Sequence, residues 1–380
     1  MVEKVHEMEK TIFFDLEGPL SPQDNAYEVM KLIGKEGAFI FEVISRYDDI
    51  ISLEGREGYE PGDTLALIVP FLLLHGITEA DIRKVSERAK IVEGAEYLFE
   101  KLQAENWDIY IISTSYEQHA YNVGRKLGVP ENKIICTNLS LKLLRKVLSK
   151  TLREKKALPK EYLDTVKKAE EDIIELYSDI DNTELIVNRL DDFFFHQLRA
   201  LGYDIFTTRV IGGERKAEAV REIAKEKGEE PSDVIAVGDS ITDYKMLKEV
   251  ATHGGISVVF NGNEYAVPYA NVGLASVDIR FLHIVCNAFV RGGKGEVMEV
   301  VTKWEENQGG FEKNPADVPR NCITDDIRNF VMKQKVLGRE KMPFPYFHNI
   351  EQADERRKEE IIKIHKRVRL RVREEAAKLG

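Results

Sequence analysis

Short apolar runs that stop abruptly at acidic residues recur along this chain and set its architecture. Thr11 to Phe14 is followed by Asp15, Leu16, Glu17, Gly18 and Pro19, and Val234 to Val237 by Gly238, Asp239, Ser240, Ile241, Thr242 and Asp243. Continuous apolar runs of this length, bounded by turn residues, predict strands buried on both faces. Ile109 to Ile112, which runs into Ser113, Thr114 and Ser115, reads the same way, and further strands are predicted at Lys133 to Thr137 and at Ile256 to Phe260. Helical patterns fall between them, from Lys216 to Lys227 and from Tyr244 to Val250. That βαβ alternation predicts a parallel sheet with right-handed crossovers. Asp15 should end its central strand, flanked by the strands that end at Ser113 and Asp239, so that all three groups meet where open α/β sheets bind ligands.

The remaining segments carry helical periodicity. Between Asp15 and Ser113 lie roughly ninety residues, far more than a βα crossover needs. The patterns at Ala26 to Tyr47 and Thr64 to Leu74 make this excess a mainly α cap, and Thr78 with Asp81 begins the helix that returns to the core. A second excess, from Leu139 to about Thr208, has Leu144, Val147, Leu148 and Leu152 at helical spacing and predicts a helical insertion. Its run Phe193, Phe194, Phe195 is expected to bury the insertion against the core. The organisation expected is a core of residues 1–20, 86–138 and 204–290, a cap of 21–85, an insertion of 139–203 and a helical C-terminal extension of 291–380. Within that extension Arg291 to Gly295 reads as a flexible loop, and Ile361, Ile364, Val368 and Val372 place a solvated amphipathic helix on the core. Docking of that basic helix to a membrane or an acidic partner is the other reading.

The acidic strand ends carry a definite chemistry. A carboxylate can attack a phosphoryl group, but two anions repel, so a divalent cation must sit between them. Asp15 is the candidate nucleophile. Glu17 is the candidate acid/base, a role worth roughly 10²–10⁴-fold. Gly18 and Pro19 turn the chain so that backbone can approach an anion. Mg2+ prefers oxygen ligands; Asp15, Asp239 and the Glu17 backbone carbonyl are its candidate protein ligands. The hydroxyls of Ser113 and Thr114, with Lys216 and Gly18, are placed to hold a phosphate, and Lys216 would neutralise nucleophile and phosphoryl charge. Asp243 stands behind these groups. The bland readings are a turn or cap for each acid, a routine strand-end serine for Ser113 and a solvated helix face for Lys216.

Taken in order, these motifs resemble the haloacid dehalogenase (HAD) superfamily, most of whose members are Mg2+-dependent phosphatases or phosphotransferases. The four motifs fall at Asp15 with Glu17, at Ser113, at Lys216, and at Asp239 with Asp243; the resemblance implies a Rossmann-like α/β core under a mainly α-helical cap. The run from Ile77 to Leu102, with Ile91, Val92, Glu93, Gly94 and Ala95, resembles the phosphoserine phosphatase branch. The first motif, Asp15 to Gly18, is also similar to that of bacterial phosphoserine/homoserine phosphotransferase, and the chain is similar to archaeal HAD-type proteins labelled as a subunit of an energy-converting hydrogenase. Two departures stand out. Glu17 replaces the usual Asp, and Leu65 to Val69 holds no basic residue where phosphoserine-like members grip the substrate carboxylate. Asp24, Glu28, Arg46 and Arg56 are the polar candidates in the cap.

Composition narrows the field. The 380 residues, 43% of them hydrophobic, suffice for two or three domains. A net charge of −11 argues against a general nucleic-acid binder. Cys136, Cys286 and Cys322 form no CxxC and no even-numbered framework, which fits a reducing cytoplasm. Met1 to Lys10 is charged, and no apolar run approaches the 18 residues of a membrane span. Two functions follow. One is a Mg2+-dependent hydrolase or phosphotransferase acting on a small phosphorylated metabolite. The other is a HAD-fold interaction or regulatory subunit whose helical additions dock a protein partner or a second copy.

Overall fold

The computed structural model describes residues 10–149, 158–336 and 344–378. Seven strands form one sheet: β1 (Lys10–Phe14), β2 (Trp107–Tyr116), β3 (Ile134–Thr137), β4 (Val234–Gly238), β5 (Ile256–Phe260), β6 (Val272–Ala275) and β7 (Tyr346–Asn349). Their order is β3-β2-β1-β4-β5-β6-β7. The first six run parallel, and β7 closes the edge antiparallel to β6. β4, β5 and all of β1 after Lys10 are buried on both faces and mostly apolar. Phe14 pairs with Ile111 on one side and with Val237 on the other, and the Asp15 N–H donates to the Val237 carbonyl at 2.8 Å. That register brings the ends of β1 and β4 to one level, with Ser113 of β2 two residues beyond the Phe14 partner Ile111.

The cap and the insertion bury a single apolar cluster. Tyr47 and Phe41 of the helix Lys35–Leu53, Phe71 of the helix Val69–Leu74 and Tyr162, Val166 and Ile173 of the helix Lys160–Leu176 all belong to it. Phe194 stacks on Tyr47 at 5.8 Å between centroids and Phe193 meets Phe71 at 6.0 Å. The aromatic run therefore packs on the cap, and the expectation that it packs on the core is corrected: the cap's apolar face lay uncovered until the insertion reached it. Leu144 and Leu148 are buried, whereas Val147 is 61% exposed; Leu152 lies outside the described residues. Thr78 and Asp81 form a reciprocal capping box, each side chain accepting from the other's backbone N–H, at the start of the helix Glu79–Glu87.

The C-terminal segment departs most from expectation. Arg291 to Gly295 is a kink, not a loop: Gly292 and Gly293 leave helical geometry inside the helix Leu282–Lys313, and the chain continues as helix on either side. The segment also supplies β7, which the sequence did not announce. Its Trp304 is fully buried in the same apolar cluster as β1, β4, β5 and β6; its ring lies 5.1 Å from both Phe344 and Phe347, and its indole N–H donates to the Cys322 carbonyl at 2.7 Å. The extension is thus part of the core's packing. Truncating such a side chain costs about 3–5 kcal/mol, so Trp304→Ala should lower unfolding stability by that amount in urea. A change below about 1 kcal/mol, the level of an ordinary surface substitution, would show that the extension merely leans on the core.

Candidate functional site

The strand ends converge as their register requires. Lys216, fully buried near the start of the helix Glu214–Lys227, donates to Asp15 Oδ1 at 2.5 Å and to Asp243 Oδ1 at 2.7 Å. Asp243 turns its other oxygen back on its own loop, where Oδ2 accepts from the Asp239 and Ser240 N–H groups at 2.9 and 3.1 Å. Lys216 is therefore no solvated helix face, and Asp243 holds both the lysine and the loop that carries Asp239. Ser113 and Thr114, in the buried second half of β2, line the same cavity as Asp15, and Thr114 Oγ1 is buried without a hydrogen-bond partner. Gly18 adopts φ +120, and a Cβ there would overlap the Asp239 carboxylate. Its close approach is thus to Asp239.

Glu17 sits at the edge of the same cavity. Its Oε1 accepts from the Asn25 N–H at 2.9 Å, at the head of the helix Asn25–Met30, and lies 3.7 Å from Nε2 of the buried His119. Burial, then the charge of Asp24, pushes the Glu17 carboxyl up to about 8. Burial and the charge of Asp243 raise Asp15 as well, against the pull of Lys216. For Lys216 burial works downward, but the charges of Asp15 and Asp243 outweigh it and hold the ammonium above its ordinary range. His119 is driven down to about 3 by burial and is neutral beside Glu17.

Asp15, Asp239 and Asp243 present carboxylate oxygens that all lie within 4.8 Å of one another. Asp239 Oδ1 is buried and has no hydrogen-bond partner. Buried polar atoms are nearly always paired, so an acceptor left over in a cluster of hard oxygen donors fits a divalent cation such as Mg2+.

Two residues of this site were not anticipated from the sequence. The helix Glu355–Arg373 delivers Arg369 and Arg373 to Asp239: both guanidiniums donate to Oδ2, Arg373 at 2.9 Å, and Arg373 also donates to the Pro22 carbonyl at 3.2 Å. Arg369 and Arg373 are 2% and 7% exposed. The reading of a helix whose basic face is solvated is corrected for these two positions. They lie four apart, in line with Ile361, His365 and Val368, so the signal was present as cations on an apolar face.

The cap closes on the core through charge pairs. Arg215 holds Asp63 at 2.5 Å and Lys245 holds Glu60 at 2.9 Å, bringing Gly62 against Thr114. Beneath it is a cavity of about 70 Å³ lined by Asp15, Glu17, Ser113, Thr114, Leu65, Arg369 and Arg373 among others. Asp24 also lines it while capping its helix through the Tyr27 N–H at 2.9 Å. Glu28 pairs instead with Lys31, Arg56 with Glu54 and Asp191, and the charge of Arg46 acts on Asp49.

Residues 93–276 match the profile of haloacid dehalogenase-like hydrolases, a stretch that holds Ser113, Lys216, Asp239 and Asp243. A phosphoserine phosphatase of Archaeoglobus fulgidus is 36% identical over 77 residues, 18% of this chain; the match spans 21% of that relative's length. The structure of a gene product of Archaeoglobus fulgidus superposes with a TM-score of 0.72 at 26% identity, over 98% of this chain and 99% of that one. The structure of a phosphoserine phosphatase in apo form aligns over 72% of this chain and 98% of that one at 16% identity, with a TM-score of 0.45. Among the described residues no single helix is long and apolar enough to cross a membrane. With its parallel sheet, its acidic strand ends and its profile match, the chain carries a haloacid dehalogenase-like domain.

Proposed function

We propose that this protein is a Mg2+-dependent phosphomonoester hydrolase or phosphotransferase that works through an aspartyl-phosphate on Asp15. The observation that carries the reading is the contact of Lys216 with Asp15 and Asp243 at the end of β1. A buried ammonium there favours the ionised form of the carboxylate and aims it, as a nucleophile needs. A cation held by Asp15, Asp239 and the Glu17 carbonyl would offset the repulsion between nucleophile and phosphoryl group.

In the first step an Asp15 oxygen forms a bond to phosphorus, the ester P–O bond breaks, and the departing oxygen takes the proton of Glu17. The raised affinity of Glu17 for its proton suits it to give one up only to a developing alkoxide. In the second step Glu17 takes a proton from water, or from an acceptor alcohol, whose oxygen attacks phosphorus and releases the Asp15 carboxylate. The hydroxyls of Ser113 and Thr114 and the ammonium of Lys216 face the transferring oxygens, and the closed cap keeps bulk water away. Asp243 orients Lys216 and the Asp239 loop. The substrate is a small phosphorylated metabolite, consistent with the cavity's size.

The reading as an interaction subunit drew on the long additions. Those additions spend much of their apolar surface inside the chain, the insertion on the cap and the extension on the sheet, which favours the enzyme.

The test is turnover of a panel of phosphomonoesters with Mg2+, in which the parent should release phosphate and Asp15→Asn should not. Equal rates for both would end the proposal. Within that panel phosphoserine should not have the highest kcat/KM, because the cap segment facing the cavity, Gly62 to Leu65, contributes no cation; a clear preference for phosphoserine would contradict this account of the cap. Glu17→Gln should still accept a phosphoryl group from acetyl phosphate but lose it roughly 10²-fold more slowly. Intact mass after brief reaction should show the phosphorylated protein, and turnover as fast as the parent's would make Glu17 a turn residue only.

A further inference from the structure

Two of the cations that meet the carboxylates at the strand ends come from the C-terminal helix, and Asp24 and Glu17 line the same cavity. Asp15, Asp239 and Asp243 contribute three carboxylates; Lys216, Arg369 and Arg373 contribute three cations, and all six side chains are buried. Without the last helix the same cluster would carry three acids and one ammonium. Both arginines use a single oxygen of Asp239, Oδ2, and leave Oδ1 without a partner. Gly18 packs so closely on that carboxylate that a Cβ there would overlap it. The guanidiniums therefore share Asp239 with whatever binds Oδ1, and they do not replace it.

A divalent cation alone would bring two further positive charges against a buried group of carboxylates that Lys216, Arg369 and Arg373 already hold. A phosphoryl dianion alone would bring two negative ones. Together they cancel. In a medium of low effective dielectric that difference outweighs any single contact.

Building on the phosphatase reading above, we infer that Arg369 and Arg373 are positioning residues that make the cation and the phosphoryl anion bind as a pair, each weakly without the other. The C-terminal helix is then a working part of the site, fixing Asp239 through Oδ2 and setting how much charge the pocket accepts.

Calorimetric titration of the full-length protein with Mg2+, without and with saturating inorganic phosphate, tests this. The parent should bind Mg2+ at least about tenfold more tightly when phosphate is present. By reciprocity Mg2+ should tighten phosphate by the same factor. Arg373→Gln removes one positive charge while keeping a hydrogen-bonding side chain; Mg2+ alone should then bind about tenfold more tightly, and the gain from phosphate should shrink. Arg373→Lys, which keeps the charge, should retain the parent's dependence on phosphate. Equal affinities in the parent's two titrations would sink the inference even if a variant is unstable, the comparison of folded Arg373→Gln with Arg373→Lys assigns the coupling to the arginine charge, and a thermal melt of each variant shows whether it is folded. Equal Mg2+ affinity with and without phosphate in the parent, or weaker Mg2+ binding by a folded Arg373→Gln, would overturn the inference. If Asp239→Ala nonetheless abolishes that Mg2+ binding, the phosphatase reading survives. If the parent binds no Mg2+ under either condition, the phosphatase reading fails as well.

Discussion

The structure turns on one buried ammonium between two carboxylates. Lys216 reaches Asp15 on one side and Asp243 on the other, and Asp243 in turn ties down the backbone of Asp239. Removing one member of such a network leaves an uncompensated buried charge, a loss of about 3–5 kcal/mol in typical cases. The network is therefore costly to break and rigid while intact. It is also the reason the ends of β1 and β4 can hold so many acids a few ångströms apart without driving the loops outward.

The additions serve that network from two directions. From above, the cap is pinned by Arg215 and Lys245 to Asp63 and Glu60, and the insertion gives the cap an apolar interior of its own through Phe193 and Phe194. From the sheet edge, β7 and the buried Trp304 anchor the C-terminal segment, so that the final helix can send Arg369 and Arg373 into the cluster. A charged side chain is held in a buried site only when its backbone is fixed. The packing of the extension and the placement of its arginines are thus one feature.

Much of the core was legible because parallel strands buried on both faces must be apolar throughout and must stop where the ligand face begins. Thr11 to Phe14 and Val234 to Val237 showed both properties, and their ends do meet, with Ser113, Lys216 and Asp243 beside them. What escaped notice depended on partners distant in sequence. Phe193 could be read as buried, but nothing in its neighbourhood said that Phe71 would bury it. Gly292 and Gly293 were read as a loop because glycine pairs usually make one, yet helix on both sides absorbs them as a kink. Arg369 and Arg373 share a face with Ile361 and Val368, and a run of basic residues around them masked the two that point inward.

The central claim is that a cation and a phosphoryl group meet at Asp15 beneath the cap. The most direct measurement is a crystal structure of the protein grown with Mn2+ and beryllium fluoride, using the anomalous signal of manganese to locate the ion. The account requires a manganese peak about 2.1 Å, a hard-cation oxygen distance, from an Asp15 oxygen and from Asp239 Oδ1, with beryllium fluoride bonded to Asp15 and Arg373 still on Asp239 Oδ2. A peak elsewhere in the molecule, or beryllium fluoride bound without contact to Asp15, would contradict it.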